Sequence, residues 1–164
     1  NKQIGGWYYE QQDLGFNYRL TDIQAALGSS QLKRVDSFVK KRNLLAQRYF
    51  RLLSPLSLDL PLINDFNYSS FHLFVIRLPQ NLKNKRREIF MELRKHGIGV
   101  NVHYIPIYKH PFYQHAFKKV NEKNFPNAED YYSRAISIPL YPDLSSSDQQ
   151  KVVATIKSSI ANHL

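Results

Sequence analysis

The feature that most constrains the fold is an amphipathic pattern that runs from Thr21 to the Ser54-Pro55 break. Thr21 and Gln24 can form a capping box, in which each side chain accepts a hydrogen bond from the backbone N–H of the other residue. Beyond this box, apolar residues recur at helical spacings of three, four and seven. The pattern predicts one helix over residues 21–53, about 50 Å long. Because a small domain does not need so long a helix, we expect it to connect two bodies.

Strand and helix patterns alternate after this helix. Residues 71–78 are β-branched and aromatic and are bounded by serines and a proline, which is typical of a strand. Further strands are predicted over residues 99–104 and 136–140, and helices over residues 85–96, 111–119, 127–134 and 146–161. Gly97 follows the first of these helices as a left-handed cap. The order predicts an α/β chain with a small mixed or antiparallel sheet and flanking helices.

The chain divides by composition into three parts. Residues 1–20 are rich in glycine, aromatic and amide residues without a sustained period, and we expect an ordered loop there. Residues 21–53 are the predicted helix, and residues 54–164 form one architecture without internal repeats. The chain opens on Asn1-Lys2 with neither a methionine nor a leader pattern, which we interpret as an internal start.

Composition excludes several classes of function. Cysteine is absent, so the chain has no disulfide and no thiolate nucleophile. None of the six histidines forms the paired helical pattern of a metal site, and no glycine-rich phosphate loop follows a strand. No apolar run reaches the roughly twenty residues that a membrane span needs. We therefore expect no metal, while the net charge of +10 would attract phosphate-bearing partners without choosing among them.

Two short segments are candidates for ligand binding. Asn17 and Arg19 stand just before the predicted helix, where an amide, a fixed cation and unpaired backbone N–H groups suit a phosphate or carboxylate. Capping or bracing of the turn is an equally open explanation for them. His103 and Tyr104 follow a predicted strand and lead into a loop, a place where a rigid element positions side chains for ligands. Acidic residues on predicted helices, Glu129 among them, are expected to be solvated or locally paired.

The segment from Trp7 to Gly28, WYYEQQDLGFNYRLTDIQAALG, closely resembles the signature segment of the DegT/DnrJ/StrS sugar aminotransferases. Residues 71–74, 97–113 and 135–140 are similar to later parts of the same family and occur in the same order. Within the family, the chain most resembles the transaminases of the pseudaminic acid route. Those enzymes convert a UDP-linked 4-keto-6-deoxy amino sugar into its 4-amino sugar.

The resemblance implies an aminotransferase of fold type I that uses pyridoxal 5'-phosphate. Residues 1–20 would end the large cofactor-binding domain, residues 21–53 would be the connecting helix, and residues 54–164 would be the small α+β domain. In this family the active site lies at a dimer interface, and Asn17 and Arg19 match residues that reach the partner's cofactor phosphate or the amino-acid carboxylate. The expected setting is a cytoplasmic homodimer that binds glutamate and a UDP-sugar, without nucleic acid or membrane.

The resemblance also assigns a substrate side to the second candidate segment. The residues of this implied substrate side are His103, Tyr104, Tyr108, Lys109 and His110. Tyr108 stands where relatives often have a histidine. The family's Schiff-base lysine lies in a serine-containing stretch that has no counterpart here. The chain alone is therefore expected to contain no catalytic residue and not to transaminate.

Two other classes of function stay open on the sequence. A chain derived from the family could have lost catalysis and act as a binding or regulatory module. A basic nucleic-acid-binding domain is the other, because residues 83–87 carry four cations. Such a run at a helix start is more often a solvated face, and it lacks interleaved aromatic residues.

Overall fold

The computed structural model describes residue 13 and residues 15–16, 18–116 and 121–164. It forms two compact units, Asn1–Val35 and Asp36–Leu164. In the first unit, helix α1 spans Asp22–Leu32. Its start is the predicted capping box: the Thr21 N–H donates to Gln24 Oε1 at 3.0 Å, and the Gln24 N–H donates to Thr21 Oγ1 at 3.3 Å. Two of the free donors at this helix end are thereby satisfied.

The single long helix predicted over residues 21–53 is wrong in one respect, because the structure contains two helices there. Helix α1 ends at Leu32, a turn occupies Lys33 and Arg34, and helix α2 spans Val35–Leu53. At the turn the Arg34 N–H donates to Gln31 O at 3.0 Å, which is the tighter spacing of a helix end. Gly28 and the two serines that follow it are weak helix formers, so local propensity does little to carry α1 through the turn.

The sheet is small and antiparallel, as predicted. Strand β1 (Phe74–Arg77) pairs with β2 (Ala135–Ile138), with Phe74 opposite Ile138 and Arg77 opposite Ala135. Isolated antiparallel bridges add Asp59 beside Arg77 and Asn101 beside Ser137. The predicted strand over residues 99–104 is therefore reduced to one bridge at Asn101. Strand β1 is shorter than predicted, and β2 begins one residue earlier and ends two residues earlier than predicted.

Within the described residues, four further α-helices flank the sheet. They are α3 (Arg86–Lys95), α4 (Pro111–Ala116), α5 (Pro126–Arg134) and α6 (Ser146–Ala161). The last has the predicted bounds, whereas the final residues predicted for α4 lie outside the described part of the chain. Gly97 has φ +77°, and its N–H donates to Arg94 O at 2.9 Å, which confirms the left-handed cap after α3.

The hydrophobic core lies on one face of the sheet, because side chains alternate along each strand. The core-facing residues of the strands are Phe74, Ile76, Ile136 and Ile138, which cluster with buried residues of α2, α3 and α6. Tyr49 of α2 is fully buried there and donates its hydroxyl hydrogen to Pro139 O at 2.9 Å. Burial, reinforced by Tyr141, raises the pKa of Tyr49 above its ordinary range. The opposite face of the sheet carries Val75, which is half-buried, and Ser137, which is buried.

A buried arginine joins the sheet edge to α5. Arg134 is 5% exposed, and its guanidinium donates to Asp59 Oδ2 at 2.8 Å and to Leu78 O at 2.7 Å. It also forms a forked pair with Asp130, at 2.6 and 3.2 Å. Since Asp59 bridges β1, one side chain ties together the strand edge, the end of β1 and α5. None of the helices within the described residues is long and apolar enough to cross a membrane.

Candidate functional site

The second candidate segment starts at the bridge between Asn101 and Ser137, on the side of the sheet opposite the core. Asn101 and Ser137 exchange two backbone hydrogen bonds across the bridge, at 3.1 and 2.7 Å. This pairing fixes the backbone from which the loop of residues 102–110 departs. The loop then passes a short 3-10 turn at Ile107–Lys109 and enters α4.

His103 is half-buried against this bridge. Its Nδ1 lies 2.8 Å from Ser137 Oγ, and its Nε2 lies 3.5 Å from Asn101 Nδ2. The Tyr104 ring meets the His103 ring edge to face, with centroids 4.6 Å apart. Both ring nitrogens of His103 therefore face side chains of the same chain, and one flank of the ring supports an aromatic neighbour.

Tyr104 opens onto an apolar groove. The groove is lined by Tyr104, Ile105, Pro106, Ile107, His110, Ala128 and Tyr131. Tyr104 is 69% exposed and His110 is also exposed, so both are accessible from the groove. A concave apolar surface with a few polar groups at its edge is the usual form of a small-molecule site.

Tyr108 and Lys109 are engaged by carboxylates of the same chain. The Tyr108 hydroxyl donates to Glu129 Oε1 at 2.6 Å, and Lys109 Nζ donates to Glu129 Oε2 at 2.8 Å. Lys109 also pairs with Glu122 at 3.1 Å. The Tyr108 ring stacks on Phe125, with centroids 4.7 Å apart. Glu129 thus holds two consecutive residues of the loop against the start of α5.

The electrostatics of this cluster follow from the same contacts. Partial burial, followed by the hydrogen bond to Glu129, raises the pKa of Tyr108 to about 12. The hydrogen bond from Lys109, followed by the one from Tyr108, lowers the pKa of Glu129. The hydrogen bond to Glu129 also raises the pKa of Lys109. At neutral pH the tyrosine is a neutral donor, the lysine is a cation and both carboxylates are charged.

Sequence reasoning missed Glu129, Glu122 and Ser137. Glu129 was expected to be solvated or locally paired, yet it binds two residues about twenty positions earlier in the chain. No local spacing signals such a pairing, because it depends on how the loop folds back onto α5. Ser137 lies in an apolar strand, and a serine on the face opposite the core is the one signal that the sequence offered.

The first candidate segment belongs to the other unit. Asn17 lies outside the described residues. Arg19 is exposed and stands two residues before the capping threonine of α1. The structure brings His103, Tyr104, Tyr108, Lys109 and His110 together in the second unit, whereas Arg19 lies in the first. The role predicted for each of these residues stays a prediction.

The groove does not have the chemistry of a pyridoxal phosphate pocket. Such a pocket needs an amine that can bond to the aldehyde and donors for the phosphate. The groove lining contains neither lysine nor arginine. The nearby Lys109 is held by two carboxylates, so its amine is charged and occupied. The groove therefore does not fit this cofactor by itself. The described residues contain no cluster of three or more potential metal ligands.

Solved structures define the class to which this fold belongs. The chain resembles Helicobacter pylori PseC, an aminotransferase involved in the biosynthesis of pseudoaminic acid, with a TM-score of 0.85 and 31% identity over 96% of this chain and 42% of that one. It resembles the aminotransferase TlmJ from Streptoalloteichus hindustanus with a TM-score of 0.80 and 25% identity, over 95% of this chain and 41% of that one. The structural neighbours are aminotransferases of fold type I.

The chain belongs to the DegT/DnrJ/EryC1/StrS aminotransferase family, which it matches over residues 2–157. It is 36% identical to the spore coat polysaccharide biosynthesis protein SpsC of Bacillus subtilis, over 95% of this chain and 41% of that protein. It is 35% identical to the UDP-4-amino-4,6-dideoxy-N-acetyl-beta-L-altrosamine transaminase of Campylobacter jejuni, over 93% of this chain and 40% of that protein. The chain thus spans about two-fifths of the length of these curated relatives.

Proposed function

We propose that this chain is the C-terminal portion of a pyridoxal phosphate-dependent sugar-nucleotide aminotransferase. The whole protein would transfer an amino group from glutamate to a UDP-linked 4-keto-6-deoxy amino sugar. The observation that carries this proposal is the family match over residues 2–157, together with relatives that are named as transaminases of such a sugar. The proposed setting is a cytoplasmic homodimer whose ligands are small molecules rather than nucleic acid or a membrane.

The proposal divides the chain as the resemblance implies. Residues 1–20 would end the large domain, residues 21–53 would connect the domains through α1 and α2, and residues 54–164 would be the small domain. Asn17 and Arg19 would contact the cofactor phosphate or the amino-acid carboxylate, because Arg19 is a fixed cation just before a helix start. The cofactor, when bound, supplies the carbonyl that accepts and passes on the amino group.

The loop of residues 102–110 would form the substrate side in this proposal. Tyr104 and His110 are its exposed groups at the groove, and an aromatic ring there can cover an apolar face of a sugar. Tyr108 and Lys109 contribute by holding the loop, since Glu129 occupies both. His103 lies between Tyr104 and the sheet and belongs to the same side.

The 164-residue chain alone should not form an internal Schiff base. The test is a titration with pyridoxal phosphate, followed by absorbance between roughly 320 and 430 nm, borohydride reduction and intact mass. The full-length Campylobacter jejuni transaminase serves as the positive control. We expect no stoichiometric reduced adduct on any one lysine of this chain. An adduct confined to one lysine would contradict the proposed division and make the chain a complete cofactor enzyme.

A chimera tests the activity of the whole protein. The part of the Campylobacter jejuni transaminase that precedes the matching segment is joined to Asn1–Leu164, and amino transfer from glutamate to the UDP-linked keto sugar is measured. We expect activity that falls when Tyr104 is changed to alanine, because the exposed ring is removed from the groove. Tyr68→Ala is the matched control, since Tyr68 is exposed and lies outside this groove.

The chimera also tests the alternative of a non-catalytic module. A chimera that folds, binds pyridoxal phosphate and yet does not transfer the amino group would contradict the proposal and favour that alternative.

A further inference from the structure

We propose that Asn101 and Ser137 are positioning residues that hold His103 as its neutral Nδ1-protonated tautomer, so that His103 orients Tyr104 instead of contacting the sugar itself. The role of these residues at the groove rests on the proposed function, whereas their contacts with His103 involve only side chains of this chain.

The orientation of the Asn101 amide is the first step. Asn101 Oδ1 accepts a hydrogen bond from the Val102 N–H at 2.8 Å. An amide oxygen that accepts from a backbone N–H cannot exchange places with its NH₂ group without losing that bond. The NH₂ group must then face His103 Nε2, from which it lies 3.5 Å away. Asn101 therefore presents a donor, at the long end of hydrogen-bond range, to this nitrogen of the ring.

The protonation of the ring follows from that donor. A neutral imidazole has one N–H donor and one acceptor nitrogen, and a donor opposite Nε2 requires Nε2 to be the acceptor. The proton then resides on Nδ1, which can donate to Ser137 Oγ at 2.8 Å. In the opposite tautomer the Nε2–H would point at the NH₂ group of Asn101. Two donors facing each other would cost the hydrogen bond on that side.

Asn101 and Ser137 contact the two nitrogens of the His103 ring from opposite sides and form a clamp, which the backbone makes rigid. Asn101 and Ser137 are bridge partners joined by two backbone hydrogen bonds, so the two side chains that flank the ring have fixed origins. Ser137 is also buried, with 5% exposure, so few rotations are open to its hydroxyl. A ring held at both nitrogens has no in-plane group left for a ligand. The flank of the His103 ring remains available for packing, and the Tyr104 ring contacts it edge to face.

At the groove, His103 and Tyr104 therefore have different roles. Tyr104 is 69% exposed and has no other ring contact among the described residues. Without the flank of His103, the Tyr104 side chain would sample several rotamers, and ordering it on binding would cost free energy. The clamp therefore preorganises the Tyr104 ring, which a sugar ring or its methyl group would contact.

The position of the proton on the His103 ring can be measured directly in the 164-residue chain. Long-range ¹H–¹⁵N correlations report which nitrogen of each histidine carries the proton, and His103→Gln assigns the His103 signals. We expect a protonated Nδ1 and an unprotonated Nε2 in the wild type, with nuclear Overhauser contacts between the rings of His103 and Tyr104. Ser137→Ala removes the acceptor of the Nδ1–H but leaves the Asn101 donor opposite Nε2, so the proton should stay on Nδ1 while the ring contacts weaken. Ser137→Thr, which keeps the hydroxyl, should restore those contacts.

Two further variants make the result specific. Asn101→Asp replaces the donor opposite Nε2 by an acceptor at an exposed position, so the proton should move to Nε2 even if Ser137→Ala does not fold. Ser159→Ala is the matched control, because Ser159 is also a buried serine but its hydroxyl has no hydrogen-bond partner. We expect its His103 signals to match the wild type.

A wild-type ring protonated on Nε2, or a tautomer that Asn101→Asp does not change, would overturn the inference. Neither result bears on whether the family activity is present, which the adduct and chimera experiments decide. Conversely, an inactive chimera leaves the tautomer of His103 measurable and the clamp still testable.

Discussion

Replacing Arg134 by methionine should destabilise the second unit by about 2 to 3 kcal/mol. Methionine keeps much of the side-chain length but removes the charge and all four hydrogen bonds to Asp59, Leu78 and Asp130. Removing one partner of a buried pair costs about 3 to 5 kcal/mol when the remaining charge stays buried. Here Asp130 and Asp59 are 35% and 48% exposed, so water can solvate them after the change, and the expected loss is smaller.

Urea unfolding followed by far-ultraviolet circular dichroism measures this loss. With a slope of about 2 kcal/mol per molar urea, the midpoint should fall by about 1 to 1.5 M. Arg87→Met is the matched control, because Arg87 is an exposed arginine of α3, and it should change the stability by less than about 0.5 kcal/mol. If Arg134→Met unfolds within about 1 kcal/mol of the wild type, the inference that this arginine fastens α5 to the sheet edge is refuted.

The same variant predicts a change in pH dependence. The hydrogen bond from Arg134, followed by the one from Gln80, lowers the pKa of Asp130 below its ordinary value of 3.8. A carboxylate with a depressed folded-state pKa contributes stability above its unfolded pKa and loses it as the pH falls through the folded value. The stability gap between wild type and Arg134→Met should therefore be full at neutral pH and narrow below about pH 4.

Three further changes have defined outcomes. Glu129→Gln should lower the pKa of Tyr108 from about 12 only part of the way to its ordinary 10, because partial burial is the larger cause and remains; a tyrosinate difference titration measures this. Tyr49→Phe should cost about 1 to 2 kcal/mol in urea unfolding, because the fully buried hydroxyl is lost and the partly buried carbonyl of Pro139, just after β2, loses its donor. Gly97→Ala should cost about 1 kcal/mol, because the glycine has φ +77°.

Each of these changes has its own comparison. Gly99→Ala adds the same methyl group with open space around it and no positive φ, so an equal loss at both glycines would contradict the backbone explanation. Tyr141→Phe removes a hydroxyl from a half-exposed tyrosine, and a loss as large as that of Tyr49→Phe would show that burial of the bond is unimportant. An unchanged pKa of Tyr108 in Glu129→Gln would mean that the Tyr108 hydroxyl does not donate a hydrogen bond to Glu129 in solution.

The sequence predicted the elements of this fold well where a local signal decides them. The capping box at Thr21, the left-handed cap at Gly97 and the bounds of α6 all depend on residues within one turn of each other. The break between α1 and α2 was missed because apolar spacing resumes at Val35 and conceals the turn. The strand over residues 99–104 was overestimated because β-branched composition does not reveal how many residues find a pairing partner.

The candidate site was predictable in outline and not in its contacts. A loop after a predicted strand indicated His103 and Tyr104, and the structure places the two rings in contact, with His103 beside Ser137 of β2. What the spacing could not show is which groups those residues meet. The partner of His103 comes from a strand more than thirty positions later, and the partner of Tyr108 from a helix about twenty positions later. Such pairings depend on tertiary structure.

The pairing of Lys109 bears on how anions would be recognised by the proposed enzyme. Lys109 lies between Glu122 and Glu129, so these three groups carry a net charge of −1 at neutral pH. An incoming phosphate or carboxylate would have to displace a carboxylate that is already hydrogen-bonded, and it would meet like charge. The loop of residues 102–110 is therefore better suited to the uncharged part of a sugar than to a diphosphate. Anion recognition would then fall to cations elsewhere in the protein, and Arg19 ahead of α1 is one candidate among the described residues.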